Sequence, residues 1–300
     1  MNVGVVLWPV HEWPEMGRVW QRAEELGFHT GWLYDHLAWR GHSPWDEALT
    51  SLAAAAATTS RIRLGTLVTS PNFRHPLPTA HAIKTLDRIS GGRITVGVGA
   101  GGTGHTSDGD VLDAEWSPKR RADRYAEWVG QLDALLTESP VTVRGEYWAA
   151  RDVTVAPGLV QLPRPPFYVA GEGPRGMRLA VRHGQGWIAN PASPDEPALP
   201  LVRSRMAWLA ETCEAEGRDF KTLRKLLLTG FTADPWTSSL ADFTELYEAY
   251  ADAGITDVAL HWPRPGTPWA ADDDVFAEIA QFCRERSATP EDTAPEDTAP

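Results

Sequence analysis

Asp35 and His36 stand side by side at the end of a short apolar run, Gly31-Trp32-Leu33-Tyr34. A histidine exchanges a proton near neutral pH, and an adjacent carboxylate can fix its orientation, so the pair can act as a general acid or base. The same two residues could instead cap a helix and pair locally; their position at a strand end favours function. Gly97-Val98-Gly99-Ala100-Gly101-Gly102 spells G-x-G-x-x-G. A dinucleotide fingerprint opens straight into a helix, whereas the next helix here is expected only near Ser117. Close backbone approach to a flat ring or a phosphate is favoured over a plain turn. The stretch Gly171 to Gly176 follows another apolar run and leads directly into Met177-Arg178-Leu179-Ala180. Backbone amides at such a helix start, with Arg175, would hold an anion; the alternative is an ordinary loop. The nine histidines show no paired ligand spacing and the two cysteines form no cluster, so no metal site is expected. No G-x-S-x-G elbow and no P-loop occurs.

Fourteen tryptophans are many for a chain of this size. Trp20, Trp128 and Trp208 fit helix faces and read as core. Trp8, Trp39, Trp45, Trp116, Trp262 and Trp269 fall in or beside loops at strand ends, where some could line a pocket for a planar or greasy ligand.

These residues need elements to position them. Short β-branched or aliphatic runs occur at 3–8, 31–35, 63–70, 93–99, 167–171, 186–190, 224–231 and 257–262, each followed by a helical pattern. Near-continuous hydrophobicity suits parallel strands buried on both faces. Helical stripes include Met16, Val19, Trp20, Ala23 and Leu26, then Ala48, Leu49, Leu52, Ala53 and Ala56. Later come Tyr125, Trp128, Val129, Leu132, Leu135 and Leu136, and finally Val275, Phe276, Ile279 and Phe282. Ser43-Pro44 and Ser117-Pro118 read as helix starts. Eight strand–helix units predict an α/β (β/α)₈ TIM barrel, with a doubly wound sheet as the runner-up. Segment 140–166 reads as a hairpin and loop inserted between the fourth and fifth strands. In such a barrel the active site forms where strands end, which gathers the residues above at one mouth.

The 300 residues are 42% hydrophobic, enough for a single large core over 1–286. The stretch 287–300 repeats Pro-Glu-Asp-Thr-Ala, holds no large apolar residue and is expected to be disordered. A net charge of −12 argues against nucleic-acid partners, and no apolar run is long enough for a bilayer span. Cys213 and Cys283 read as reduced core or boundary thiols. With no basic, cleavable leader in Met1–Val5, the expected location is the cytoplasm.

Three stretches resemble the bacterial luciferase-like superfamily of flavin- and F420-dependent oxidoreductases, also called the luciferase-like monooxygenase family. The first is Gly31-Trp32-Leu33-Tyr34-Asp35-His36-Leu37. The second runs from Leu64-Gly65-Thr66 through Ser70-Pro71-Asn72-Phe73-Arg74-His75-Pro76 and Thr85-Leu86-Asp87-Arg88-Ile89-Ser90-Gly91-Gly92-Arg93 to Val96–Gly101. The third is Gly173-Pro174-Arg175-Gly176-Met177-Arg178-Leu179-Ala180 with Gly186-Trp187. The resemblance implies a (β/α)₈ barrel that holds coenzyme F420 or FMN at its mouth. The ring would lie over a bulge in the third strand, often with a non-prolyl cis peptide, here near Leu67-Val68. It further implies that Asp35 contacts a deazaflavin and that His36 is the proton donor, because an Asp-His pair marks the F420-using branch. Some F420 members carry a Glu just after the fourth-strand glycines. Gly102 stands there in this chain, which speaks against activities that need that Glu, such as sugar-phosphate oxidation.

The expectation is therefore a reductase using reduced F420 on a C=C, C=N or C=O bond of a small organic substrate, with His36 as catalytic acid. Asp35, Val68, Ser70, Ala100, Gly101, Gly171, Gly173, Pro174 and Arg175 would bind the cofactor, and Trp8, Trp39, His261 and Trp262 would line the substrate pocket, with Phe231, Trp236 and Trp269 nearby. The alternatives are an FMN-dependent monooxygenase fed by a separate reductase, and a catalytically silent flavin- or ligand-binding barrel. Relatives are commonly homodimers, and a homodimer is expected here.

Overall fold

Eight short parallel strands close on themselves, and helices carry the chain from each strand to the next. The computed structural model describes residues 1–39, 44–102 and 107–288. The chain runs β1 (Asn2–Leu7), α1 (Glu15–Glu25), β2 (Thr30–Leu33), α2 (Ala48–Thr58), β3 (Arg63–Thr69), α3 (Pro76–Ile89) and β4 (Ile94–Val98). After β4 come α4 (Ser107–Leu112) and α5 (Pro118–Thr137), then the antiparallel pair β5 (Val141–Arg144) and β6 (Ala149–Val153). The barrel resumes with β7 (Phe167–Ala170), α6 (Pro174–His183), β8 (Gly186–Ala189), α7 (Leu199–Ala215), β9 (Arg224–Leu228), α8 (Leu240–Asp252), β10 (Asp257–His261) and α9 (Asp273–Ala288). The closed order is β1-β10-β9-β8-β7-β4-β3-β2, so the (β/α)₈ expectation holds and the open sheet does not.

The continuous apolar strands are explained by two cores. Alternate residues point into the barrel, where Val6, Trp32, Leu67, Tyr168, Ile188, Leu226 and Leu228 pack together. The residues between them face the helices; Val3, Val5 and Leu7 of β1 meet Trp20 and Ala23 of α1 there. The inserted hairpin is pinned to α5, because the Glu127 carboxylate accepts the backbone N–H groups of Glu146 at 2.8 Å and Trp148 at 2.9 Å.

Four local expectations are corrected. The helix expected to start at Ser43-Pro44 does not begin at Pro44. Helix α2 begins at Ala48, and Glu47 caps it by accepting from the Thr50 N–H; Ser43 lies outside the described residues. A short helix, α4, precedes Ser117, although Ser117 does cap α5 ahead of Pro118. Trp20 and Trp128 are fully buried, but Trp208 is 46% exposed, with the Arg205 guanidinium over its ring. Helix α9 continues to Ala288, so Ser287 and Ala288 belong to it, and the rest of the 287–300 tail lies outside the described residues. Both cysteines are buried, and no disulfide joins them. Among the described residues no helix is long and apolar enough to cross a membrane.

Candidate active site

Strand β2 ends at Leu33, so Tyr34, Asp35 and His36 stand beyond it, at the barrel mouth. Asp35 is almost wholly buried, and its carboxylate is bonded to Arg74 rather than to His36. Arg74, in the β3–α3 loop, donates from Nε and Nη2 to its two carboxylate oxygens at 2.5 and 2.6 Å. Arg74 also pairs with Glu47, and its carbonyl accepts from the Trp128 indole at 2.8 Å. Burial alone would weaken the Arg74 guanidinium's hold on its proton; the bonds and charge of Asp35, then Glu47, outweigh it and lift Arg74 above its ordinary value. The expectation that Asp35 orients His36 is therefore corrected.

The orienting carboxylate is Asp108, on α4. Its Oδ2 lies 2.6 Å from His36 Nδ1, and its Oδ1 accepts the Leu37 N–H at 2.8 Å. Asp108 is 3% exposed. A carboxylate only accepts, so Nδ1 carries the hydrogen and Nε2 is the nitrogen left for a ligand. Residue-level reading missed Asp108 because Ser107–Leu112 has no apolar stripe to announce a helix. A carboxylate thus enters from the connection after β4, although not at Gly102.

A cavity of about 530 Å³ opens in front of His36. Its apolar base is Leu67, Val68, Ile188 and Leu228, and Gly99, Ala100, Gly101 and Gly102 also line it. The Leu67-Val68 peptide is cis, and the β3–β4 register shifts between Thr66 and Thr69, so the expected bulge and cis bond are both present. That bulge explains part of the glycine run. A Cβ on Gly97 would collide with the Thr66 carbonyl, so Gly97 serves strand packing rather than a ligand. Gly101 has φ +69°, a backbone conformation glycine adopts freely. Tyr125 of α5 ties the two neighbouring strand ends together, its hydroxyl lying 2.8 Å from the Val98 carbonyl and 3.1 Å from that of Ala170.

Asp35, His36, Val68, Ser70, Ala100, Gly101, Gly171 and Trp39 all line this cavity. Gly173, Pro174 and Arg175 do not. Arg175 is half exposed and pairs with Asp123 of α5, and Gly171 packs backbone to backbone against Gly176. Gly171 and Gly176 are explained by that contact, and the predicted anion grip has its arginine turned elsewhere. Glu172 and Asn190 line the cavity without having been singled out as binding residues; the Asn190 N–H donates to the Glu172 carboxylate.

A second cavity, of about 690 Å³, adjoins the first and shares Phe231 with it; His261, Trp236 and Trp269 also line it. Across the seam the Tyr34 hydroxyl and His261 Nε2 are 2.7 Å apart. Burial pushes the His261 imidazole down to about 3 and the Tyr34 phenol well up, so both are neutral near pH 7. Trp8 lines neither cavity. It lies beneath them, stacked on His261 at 5.2 Å and tilted against Trp269 and Trp39 at 4.7 and 5.6 Å. Trp262 is a second correction: it lines neither cavity, and it packs on Phe276 of α9 as well as against the barrel-interior cluster. Among the described residues no three His, Cys, Asp or Glu side chains gather as a metal site would require.

An apolar base beside glycine backbone, with one proton-exchanging side chain, fits a planar ring with two apolar faces. The same fold recurs in known proteins. A solved F420-dependent secondary alcohol dehydrogenase, in complex with an F420–acetone adduct, superposes over 93% of this chain and 97% of its own with a TM-score of 0.77; at 20% identity this speaks to fold alone. In sequence, an F420-dependent glucose-6-phosphate dehydrogenase from Beutenbergia cavernae is 33% identical over 275 residues, 84% of this chain and 78% of that enzyme. An F420-dependent hydroxymycolic acid dehydrogenase from Mycobacterium tuberculosis is 33% identical over 214 residues, covering 68% of this chain and 55% of its own length. Several other relatives are likewise matched over only about half their length. The sequence profile described as luciferase-like monooxygenase matches residues 1–241. With most of its length matched by that profile and the barrel and bulged third strand in place, this chain belongs to the luciferase-like monooxygenase family.

Proposed function

We propose that this oxidoreductase holds reduced coenzyme F420 in the 530 Å³ cavity and reduces an electron-poor C=C, C=N or C=O bond, with His36 giving the proton. The observation that carries the reading is the His36–Asp108 pair, 2.6 Å apart, facing a cavity lined by glycine backbone over an apolar base of Leu67 and Val68. The F420-dependent relatives at 33% identity support this cofactor over FMN. When bound, the reduced deazaflavin supplies a hydride, two electrons and one hydrogen, to one atom of the substrate double bond.

The chain's own residues do the rest. Val68, Leu67 and the backbone of Gly99–Gly102 would hold the ring, and Ser70 and Asp35 would meet its polar edge. Arg74 fixes the Asp35 carboxylate, so that group needs no reorganisation when a ligand arrives. His36 gives the proton from Nε2 to the second atom of the double bond. Asp108 holds the ring by Nδ1 throughout, and the imidazole regains its proton from water after turnover. Trp39 and Phe231 exclude water from the reacting bond.

Fluorescence titrations with F420 and with FMN test the cofactor, F420 being expected to bind and FMN to bind at least tenfold more weakly. His36→Ala is expected to keep F420 affinity within about threefold while losing on the order of 100-fold or more in turnover of an enone panel. Preferred FMN binding would overturn the cofactor, and unchanged turnover would remove His36 as the acid. The homodimer enters as a proposal too, checked by light scattering for twice the 33.0 kDa chain mass.

A further inference from the structure

Among the described residues, neither cavity at the mouth is lined by a lysine or an arginine. Carboxylates line them instead: Asp35, Asp108 and Glu172 in the first and Asp234 in the second. Arg74 reaches Asp35 but is held between it and Glu47, and Arg264 lies over the ring of Trp8, 5.4 Å from its centroid. Neither guanidinium belongs to a cavity wall. His261 adds no positive charge, since burial pushes it down to about 3.

The carboxylates are not free to recruit a cation either. Asp35 is bonded to Arg74, and Asp108 to His36 and the Leu37 N–H. Asp234 accepts from Thr232, Tyr250 and the Ala198 N–H, and Glu172 from the Asn190 N–H. What the second cavity offers is apolar ring surface from Phe231, Trp236 and Trp269, with hydroxyls such as Ser238 among its lining. A phosphate or carboxylate brought into the second cavity would face Asp234, with no arginine or lysine among the described residues of its wall to receive it.

We infer that the substrate is an electrically neutral organic molecule whose apolar, ring-sized body extends past Phe231 into the second cavity, and that phosphate esters and carboxylates are excluded. The inference rests on the proposed F420 reductase reading for the placement of the reacting bond. The two cavities meet at Phe231, and the wall runs on continuously from Leu228 in one to Thr229 and Gly230 in the other, so one ligand can span both. The glucose 6-phosphate named for several relatives is the wrong kind of ligand for such a lining.

Calorimetry separates the possibilities, using 4-phenylbut-3-en-2-one, the similarly shaped anion cinnamate, and glucose 6-phosphate. Each is titrated into the full-length protein with and without F420, and F420 binding is read separately from its own fluorescence. The neutral ketone is expected to bind at least tenfold more tightly than cinnamate, with no saturation by glucose 6-phosphate. Ser238→Arg, which adds a cation to the second cavity, is expected to raise cinnamate affinity at least fivefold. Cinnamate or glucose 6-phosphate binding as tightly as the ketone, or no ketone binding, overturns the inference. F420 binding without ketone preference counts against the ligand class alone. Ketone preference without F420 binding counts against the cofactor and upholds the ligand class.

Discussion

The two cavities at one barrel mouth are built in contrasting ways. The first, set by the segments following β2, β3 and β4, is held by charge: Asp35 to Arg74 to Glu47, and His36 to Asp108. The second, set by the segments following β8, β9 and β10, is held by aromatic contact, with Trp269 5.1 Å from His261 and Phe231 5.8 Å from Trp269. Ion pairs and bidentate hydrogen bonds fix atoms in direction as well as distance, which suits the proposed role of giving one proton to one bond. Ring packing fixes volume and polarity but tolerates different shapes, which suits selection of an apolar ligand. The family profile covers the whole charged cavity and stops at residue 241, short of His261 and Trp269. Most of the second cavity's wall, from Ala192 to Ser238, lies within the profile as well, and only His261 and Pro268–Ala270 lie beyond it.

The contrast can be broken most severely at its charged end. Arg74→Ala leaves Asp35 buried without its partner and is expected to cost about 3–5 kcal/mol of stability, read from urea denaturation. A loss under about 1 kcal/mol would mean that the network is not what holds the first cavity.

At the aromatic end the test is pH. His261 titrates near 6.5 when unfolded and at about 3 in the fold, so the unfolded chain takes up its proton first. Stability from this group is fully present above about pH 6.5 and is lost as pH falls from there toward 3. The expected loss is about 2 kcal/mol between pH 6.5 and 5, at roughly 1.4 kcal/mol per unit. His261→Asn should flatten that part of the pH profile; an unchanged slope would show that His261 takes up its proton in the folded state.

Asp108→Asn should act on chemistry more than on binding. We expect turnover to fall about tenfold, near 1.4 kcal/mol, with F420 affinity unchanged. The nitrogen-15 shifts of the His36 ring should show loss of the Nδ1–H tautomer. Equal losses in binding and turnover would make Asp108 a purely structural residue.

The smallest effect is expected at Trp262→Phe. Its ring packs toward α9, so KM for any substrate should stay within about twofold and stability should drop by about 1 kcal/mol. A large KM change would return Trp262 to the substrate wall.

How much of this was legible in advance divides along the same line. Asp35-His36, the bulge beside Leu67-Val68 and the glycines after β4 are contiguous stretches, and a contiguous stretch carries its own signal. The eight barrel strands were legible because each is an apolar run bounded by polar turns. Asp108 was not, because it sits on a six-residue helix without periodicity and reaches His36 across 72 positions of sequence. Trp262 and Trp208 were misplaced for a related reason. A tryptophan's type is compatible with pocket, core or surface, and only the packing of neighbouring helices selects among them.

By itself, then, the sequence determined the alternation of strand and helix, the family, and the presence of a proton-exchanging histidine at a strand end. Those follow from local periodicity and short motifs, which any fold of this chain must respect. Tertiary structure alone decided which carboxylate serves that histidine, which way the tryptophans face, and that Arg175 pairs with Asp123 rather than standing at the mouth. It also decided that the described walls of both cavities lack a fixed positive charge. The physical reason is that hydrogen bonds, ion pairs and ring contacts act over a few ångströms between residues far apart in the chain, and closing the barrel is what brings those residues together.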